Sequence, residues 1–291
     1  MTPPGSDKID PEWHRFNPKP RSRRDPGTIG GVTGKLNVYR YGPAEEIRVL
    51  AIHGLTGHGK RWQTLAEKHL ADVALAAPDL IGHGRSSWAA PWTIDANVDA
   101  LAALLDRDAD GPVLVVGHSF GGALALNLAA VRPDLVDALV LLDPAVGLDG
   151  ERMRDLADDM VESPDYTDRE EARAEKANGS WADVDPAELD AELDEHLVDW
   201  PRGRVGWRIS LPAMLSYWSE LARPVVVPRS GTRTTLVRAV RTDPPYVGDA
   251  LIEALEVGLG PDFTRVDFDC AHMVPLAKPA ETAAVIRKLL G

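Results

Sequence analysis

The sequence predicts an α/β protein with a mostly parallel central sheet, helices on both faces and a helical lid inserted after the fifth strand. Three observations carry this. Short apolar runs of strand length alternate with helical segments along most of the 291 residues. Between one such run, Val113-Leu114-Val115-Val116, and a strong helix former at 123–131 stands Gly117-His118-Ser119-Phe120-Gly121-Gly122, a serine in a tight strand-to-helix turn. Residues 148–222 then break the alternation with acidic amphipathic segments that give no strand signal.

Taken in order, residues 1–26 are rich in proline and basic side chains and lack either periodicity, as a flexible arm would. The basic cluster at 21–24 reads as a solvated tail beside an acidic body. The core is expected in two parts, 27–147 and 223–291, on either side of the lid. A glycine-rich turn at 30–34 precedes an alternating edge strand at 35–41. The buried strand at 47–52 runs straight into His53-Gly54-Leu55-Thr56-Gly57. Such a loop exposes backbone N–H groups at the C-terminal edge of a parallel sheet, where open α/β folds bind ligands. A helix at 62–70, a strand at 73–77 and a glycine-rich loop at 79–86 follow; His83 in that loop is given a structural role.

The helix at 97–105 leads to the strand before Ser119, and the strand at 139–142 ends in Asp143-Pro144-Ala145. This repeated order implies right-handed crossovers. In the lid, acids around 155–159 and 183–199 are expected on a solvated outer face. Its aromatics, Trp181, Trp200, Trp207, Tyr217 and Trp218, are expected as lid core ahead of pocket lining. The sheet resumes at 234–240 and leads to Thr242-Asp243-Pro244-Pro245. A helix at 249–258, a last strand at 263–269, the loop Cys270-Ala271-His272-Met273-Val274-Pro275 and a helix at 279–290 close the chain.

Composition narrows the function classes. A formal net charge of −13 repels nucleic acid and anionic membrane surfaces, so a neutral or cationic small molecule is the easier partner. The single cysteine, Cys270, makes no internal disulfide, and no apolar run has the length of a membrane span or a secretory h-region. A cytoplasmic protein, monomer or homodimer, is expected. No His/Cys/Asp/Glu spacing suits a metal, and no cofactor is implied.

The chemistry centres on Ser119. A strand-to-helix turn strains the serine backbone, exposes Oγ above the sheet and aims the Phe120 N–H at an adjacent oxyanion. A serine hydroxyl needs a base. His272 follows the last strand and can hang over the same sheet edge. A carboxylate should orient it, and two compete at strand ends, Asp243 and Asp143; the residues alone leave that open.

The motif around Ser119, the His53-Gly54 loop, Asp79-Leu80-Ile81-Gly82-His83-Gly84-Arg85-Ser86 and the terminal His272 together resemble the α/β-hydrolase family over residues 28–291. The resemblance implies an α/β-hydrolase fold of the carboxylesterase-like branch, with Ser119 as nucleophile and His272 as base. It further implies an oxyanion hole of the Leu55 and Phe120 N–H groups, with His53, Gly54, His118 and Met273 beside the substrate. A serine nucleophile disfavours the branches that use aspartate, epoxide hydrolases and haloalkane dehalogenases. Two positions depart from the family pattern: Ala271 stands where glycine usually precedes the histidine, and Thr242 stands at the usual spacing of the acid. The Asp-Pro step at Asp243 narrowly favours Asp243, with Asp143 as the alternative. The implied function is hydrolysis of a small carboxylic ester through an acyl-enzyme. A C–C bond hydrolase, a lactonase or a cofactor-free haloperoxidase is the alternative on this scaffold, and a slow or non-catalytic small-molecule receptor the alternative of another class.

Overall fold

The computed structural model describes residues 35–43 and 46–291, so the expected arm at 1–26 and the turn at 30–34 lie outside the described residues. In chain order, β1 (Val38–Tyr41), β2 (Val49–Ile52), α1 (Gln63–His69), β3 (Leu75–Pro78), α2 (Ile94–Asp108), β4 (Val113–His118), α3 (Phe120–Val131) and β5 (Val136–Leu142) build the first part of the core. An insertion follows: α4 (Gly150–Glu162), α5 (Arg169–Asn178), α6 (Pro186–His196), β6 (Leu197–Trp200), β7 (Arg204–Trp207) and α7 (Leu211–Glu220). The core is completed by β8 (Arg233–Ala239), α8 (Asp249–Leu259), β9 (Phe263–Phe268), α9 (Val274–Ala277) and α10 (Pro279–Leu290).

Seven strands form one sheet in the order β1-β3-β2-β4-β5-β8-β9, with every neighbouring pair parallel except β1 on β3. Strand period assigns the two faces. Leu50, Ile52, Val113, Val115, Leu139 and Leu141 pack with α2 and α3, while Val49, Ala51, Leu114, Val116, Val140 and Leu142 pack with α1 and α10. β2, β4 and most of β5 are buried on both sides, which is why they read as continuous apolar runs. Among the described residues no helix is long and apolar enough to cross a membrane.

The expectation of an insertion without strands is corrected by the antiparallel pair β6–β7. Its strands are four residues each, too short to show a period. The reversal at Pro201-Arg202-Gly203 has positive φ at Arg202 (66°) and Gly203 (73°), and Gly206 lies so close to Trp200 that a Cβ would meet the indole at 2.4 Å. The hairpin is thus held by side chains from its other strand, a contact no local pattern reveals.

Three glycines let α3 approach the sheet edge. A Cβ on Gly121 would stand 2.3 Å from the Ile52 carbonyl oxygen, one on Gly117 2.3 Å from the Gly121 oxygen, and one on Gly122 2.5 Å from the Pro144 Cβ. Gly121→Ala is therefore expected to destabilise the protein by about 2–3 kcal/mol in urea unfolding, since backbone oxygens cannot yield as a side-chain tip can. Gly111→Ala, where nothing lies within 4 Å, is the control and should stay within about 0.5 kcal/mol.

Candidate active site

Ser119 occupies the junction of β4 and α3 with φ 54° and ψ −120°, a conformation that costs a residue with a side chain of order 1–3 kcal/mol. Its backbone is tied on both sides. The Ser119 N–H donates to the Leu142 carbonyl at 3.0 Å, and its own carbonyl accepts from Gly122 N–H at 2.8 Å and Ala145 N–H at 3.1 Å. The side chain lines a cavity of about 500 Å³ together with His272, His118, Met273, Gly54 and Leu55. Phe120 is the first residue of α3, where the first backbone N–H groups have no partner within the helix.

His272 Nδ1 lies 2.6 Å from Asp143 Oδ2. Asp143 is 1% exposed, and its carboxylate also accepts from the Ala239 N–H at 3.1 Å and the Thr242 hydroxyl at 3.0 Å. The preference for Asp243 as partner of His272 is corrected: Asp243 is exposed and lines a separate surface hollow with Arg238, Arg241 and Thr242. The cause is visible at Thr242, which occupies the acid's usual spacing after β8 and turns its hydroxyl to Asp143. Asp143 itself has φ 42° and donates its N–H to Val237 at 2.7 Å, so the end of β5 is bent to put its carboxylate under the imidazole. The Tyr246 ring packs against His272 at 4.4 Å between centroids and is overlain by the Arg152 guanidinium of α4. Nothing in the sequence had singled out Tyr246.

His118 Nε2 lies 2.8 Å from the His272 carbonyl, so that nitrogen carries the proton and donates. Burial holds His118 well below the usual histidine range, and the neighbouring His272 adds to this. The expectation that His53 touches substrate is corrected. His53 does not line the cavity; Nδ1–H donates to the Gly54 carbonyl at 2.7 Å, and Nε2 accepts from the Leu80 N–H at 3.0 Å. It fastens the end of β2 to the 79–86 loop as a neutral ring, its pKa pushed far down by burial. His83 is likewise buried, with Nδ1 on the Ile81 carbonyl and burial lowering it to about 3. Cys270 is buried and its thiol is pushed up to about 11 by that burial, so it is a poor nucleophile.

The insertion supplies much of the cavity wall, through Leu156, Met160, Tyr166, Lys176, Trp181, Trp207 and Trp218. Its aromatics divide: Trp181, Trp207 and Trp218 face the cavity, whereas Tyr217 is fully buried, donating to the Ile81 carbonyl and accepting from Asn97. The acids also divide, and the expectation of a wholly solvated acidic face is corrected. Asp155, Asp158 and Asp159 of α4 are exposed, but Glu188, Glu192 and Glu195 of α6, spaced four and three apart, share the face that docks on the core. Glu188 accepts from Thr64, Glu195 from Lys60 and Arg85, and Glu192 from His58 and Arg61.

Glu192 is 3% exposed. Burial pushes its carboxyl up, but Arg61, His58 and Lys176 outweigh that and hold it well below its ordinary value. Arg61 also donates to the Thr56 carbonyl at 3.0 Å, and His196 Nε2–H donates to the same oxygen at 3.1 Å. Thr56 has φ 56°, so the loop carrying Leu55 is held in a left-handed turn by side chains from α6 and from the segment before α1. A Cβ on Gly54 would meet the Ser119 Cβ at 2.8 Å, which brings this loop against the turn that holds Ser119.

Residues 49–285 match the model of the alpha/beta hydrolase family. Among curated proteins, "Lipase LipV" of Mycobacterium tuberculosis is 68% identical over 256 residues, covering 88% of this chain and 98% of the relative. "Esterase Rv0045c" of the same organism is 39% identical over 112 residues, 38% of this chain and 37% of that protein. Among solved structures, E-2-(acetamidomethylene)succinate hydrolase superposes with a TM-score of 0.71 at 21% identity, covering 88% of this chain and 94% of that one. A marine microorganism esterase gives 0.69 at 19% identity, covering 88% and 99%.

The buried cluster sets a stability test. Glu192→Ala strands Arg61 and His58 without their carboxylate and is expected to cost about 3–5 kcal/mol in chemical denaturation. Asp194→Ala, which removes only an exposed pair with Arg169, should change stability by less than about 1 kcal/mol.

Proposed function

The chain belongs to the alpha/beta hydrolase family, and from that premise we propose that it is a serine hydrolase of small carboxylic esters working through an acyl-enzyme. The observation that carries this reading is the 2.6 Å contact of His272 Nδ1 with the buried Asp143, in the cavity that Ser119 also lines. With Nδ1–H committed to Asp143, His272 Nε2 is the nitrogen free to take the Ser119 proton. Ser119 Oγ attacks the acyl carbon, and the N–H groups of Phe120 and Leu55 receive the negative charge that forms on the carbonyl oxygen. His272 then returns the proton to the leaving alcohol and activates water to release the acid.

Several further features support the reading. The strained backbone at Ser119 and the clamp on Thr56 prepare both oxyanion donors before substrate arrives, so little reorganisation is left for the reaction itself. A cavity of about 500 Å³ lined by Leu156, Met160, Trp218 and Met273 suits a small acyl or alcohol group. A relative that matches 88% of this chain carries the name of a lipase, which agrees with ester chemistry.

A fluorophosphonate probe should label the wild-type protein at Ser119, and Ser119→Ala should abolish labelling and lower ester turnover by a factor of about 10³ or more. Retention of a tenth of the activity in that variant would remove Ser119 from the mechanism. Asp143→Asn keeps the shape but offers His272 the wrong partner, and is expected to cost about 10⁴ in kcat. Asp243→Asn, at the exposed position, should cost less than about tenfold. Reversal of these two results would return the acid's role to Asp243.

A further inference from the structure

One side chain in the cavity wall is left unused by ester chemistry. Lys176, near the C-terminal end of α5, lines the same cavity as Ser119 and His272, yet only 10% of its side chain is exposed. Its Nζ stands 4.1 Å from the ring centroid of Trp207 and 4.7 Å from that of Trp181. Aromatic faces stabilise a cation without satisfying its N–H groups, of which an ammonium has three. Glu192 Oε1 is 3.8 Å away, beyond hydrogen-bond distance, and is already engaged by Arg61.

Among the buried groups the charges do not cancel: Arg61 and Lys176 both line the cavity and share the carboxylate of Glu192, so one buried positive charge is left over. The two acids on the lining itself, Asp159 and Glu175, are exposed, and Glu175 accepts from the Tyr166 hydroxyl. A desolvated ammonium with donors to spare, on the wall of a substrate cavity, calls for an anionic acceptor. The overall charge of −13 does not oppose this inside the cavity, because exposed charges are screened beyond about 8–10 Å.

We propose that Lys176 determines specificity by receiving a carboxylate of the substrate, so that preferred esters carry a free carboxylate away from the scissile bond. The proposal rests on the ester-hydrolase reading above. Trp181 and Trp207 hold the ammonium between them, and the carboxylate supplies the hydrogen bonds that the described residues do not.

A dependence on pH follows. Burial brings Lys176 down to about 7; Glu192 raises it, Arg61 lowers it, and Glu175 on its own helix raises it. His58 and His196 belong to the same cluster. Lys176 is charged below that value, so the carboxylate preference is present there and fades as the pH rises through it.

The test compares kcat/KM for two matched ester pairs: one with a carboxylate or a methyl ester at the far end of the acyl chain, the other with the same choice on the alcohol. In at least one pair the ratio of carboxylate to methyl ester should fall about tenfold or more in Lys176→Met, mainly through KM, and should be largely kept in Lys176→Arg. In the wild type it should also fall between pH about 6 and about 8.5. Unchanged ratios in both pairs would overturn the proposal and leave Lys176 as packing. Calorimetry on Ser119→Ala with monomethyl and dimethyl adipate gives a readout without turnover. Tighter binding of the monoester, lost when Lys176→Met is added, is expected; equal binding overturns the site. If the wild type hydrolyses no ester while that binding difference persists, the ester reading fails and the carboxylate site stands.

Discussion

The backbone of Ser119 is the constraint on which the site depends. A side-chain-bearing residue at φ 54° persists only if its surroundings over-determine it, and here they do. Its N–H is bound to the end of β5, its carbonyl takes two N–H groups, and the flanking glycines let α3 lie against the ends of β2 and β4 at distances no Cβ would permit. The same bonds set the position of its neighbours. Leu142 and Ala145, which hold the Ser119 backbone, bracket Asp143, so the strand that restrains the serine also presents the carboxylate that His272 meets.

The insertion couples to this site through charge as well as apolar packing. Glu188, Glu192 and Glu195 dock α6 onto the core, and the Glu192 cluster reaches the Thr56 carbonyl in the loop beside Ser119. Asp183 accepts from the Ala271 N–H at 2.6 Å, and Arg152 donates to the Pro244 and Pro245 carbonyls, so the segments around His272 and Tyr246 are also tied to the insertion. Partly satisfied ion clusters are costly, which ties the order of the loop carrying Leu55 and Thr56 to correct seating of these helices. Lys176 belongs to the same network but spends its charge on the cavity side, between two indoles.

The parts legible in the sequence are those specified by neighbours in the chain. The apolar runs gave β2, β4 and β5, because a strand buried on both faces needs no long-range information to be recognised, and alternation gave the edge strand β1. Ser119 was legible from the glycines around it, and His272 from its place after the last strand. The hairpin β6–β7 was not, because its strands are short and its tight contact is between Gly206 and Trp200. The acids of α6 were read as solvated because a stripe of glutamates looks the same whether it faces water or buried arginine.

By itself the sequence determined the order of strands and helices in the core, the serine in its strained turn and the histidine at the sheet edge, since each follows from local periodicity, glycine placement or chain order. Only the tertiary structure decided between Asp143 and Asp243. Both stand at strand ends in the chain, and the difference arises where β5 and β8 lie side by side and the Thr242 hydroxyl and Ala239 N–H converge on one carboxylate. The same holds for His53, which the family resemblance places at the substrate and the fold turns towards Leu80, and for Lys176, whose setting is assembled from α5, Trp181, β7 and α6. Burial and partnership are properties of packed surfaces from distant segments, and no window of sequence contains both sides of such a contact.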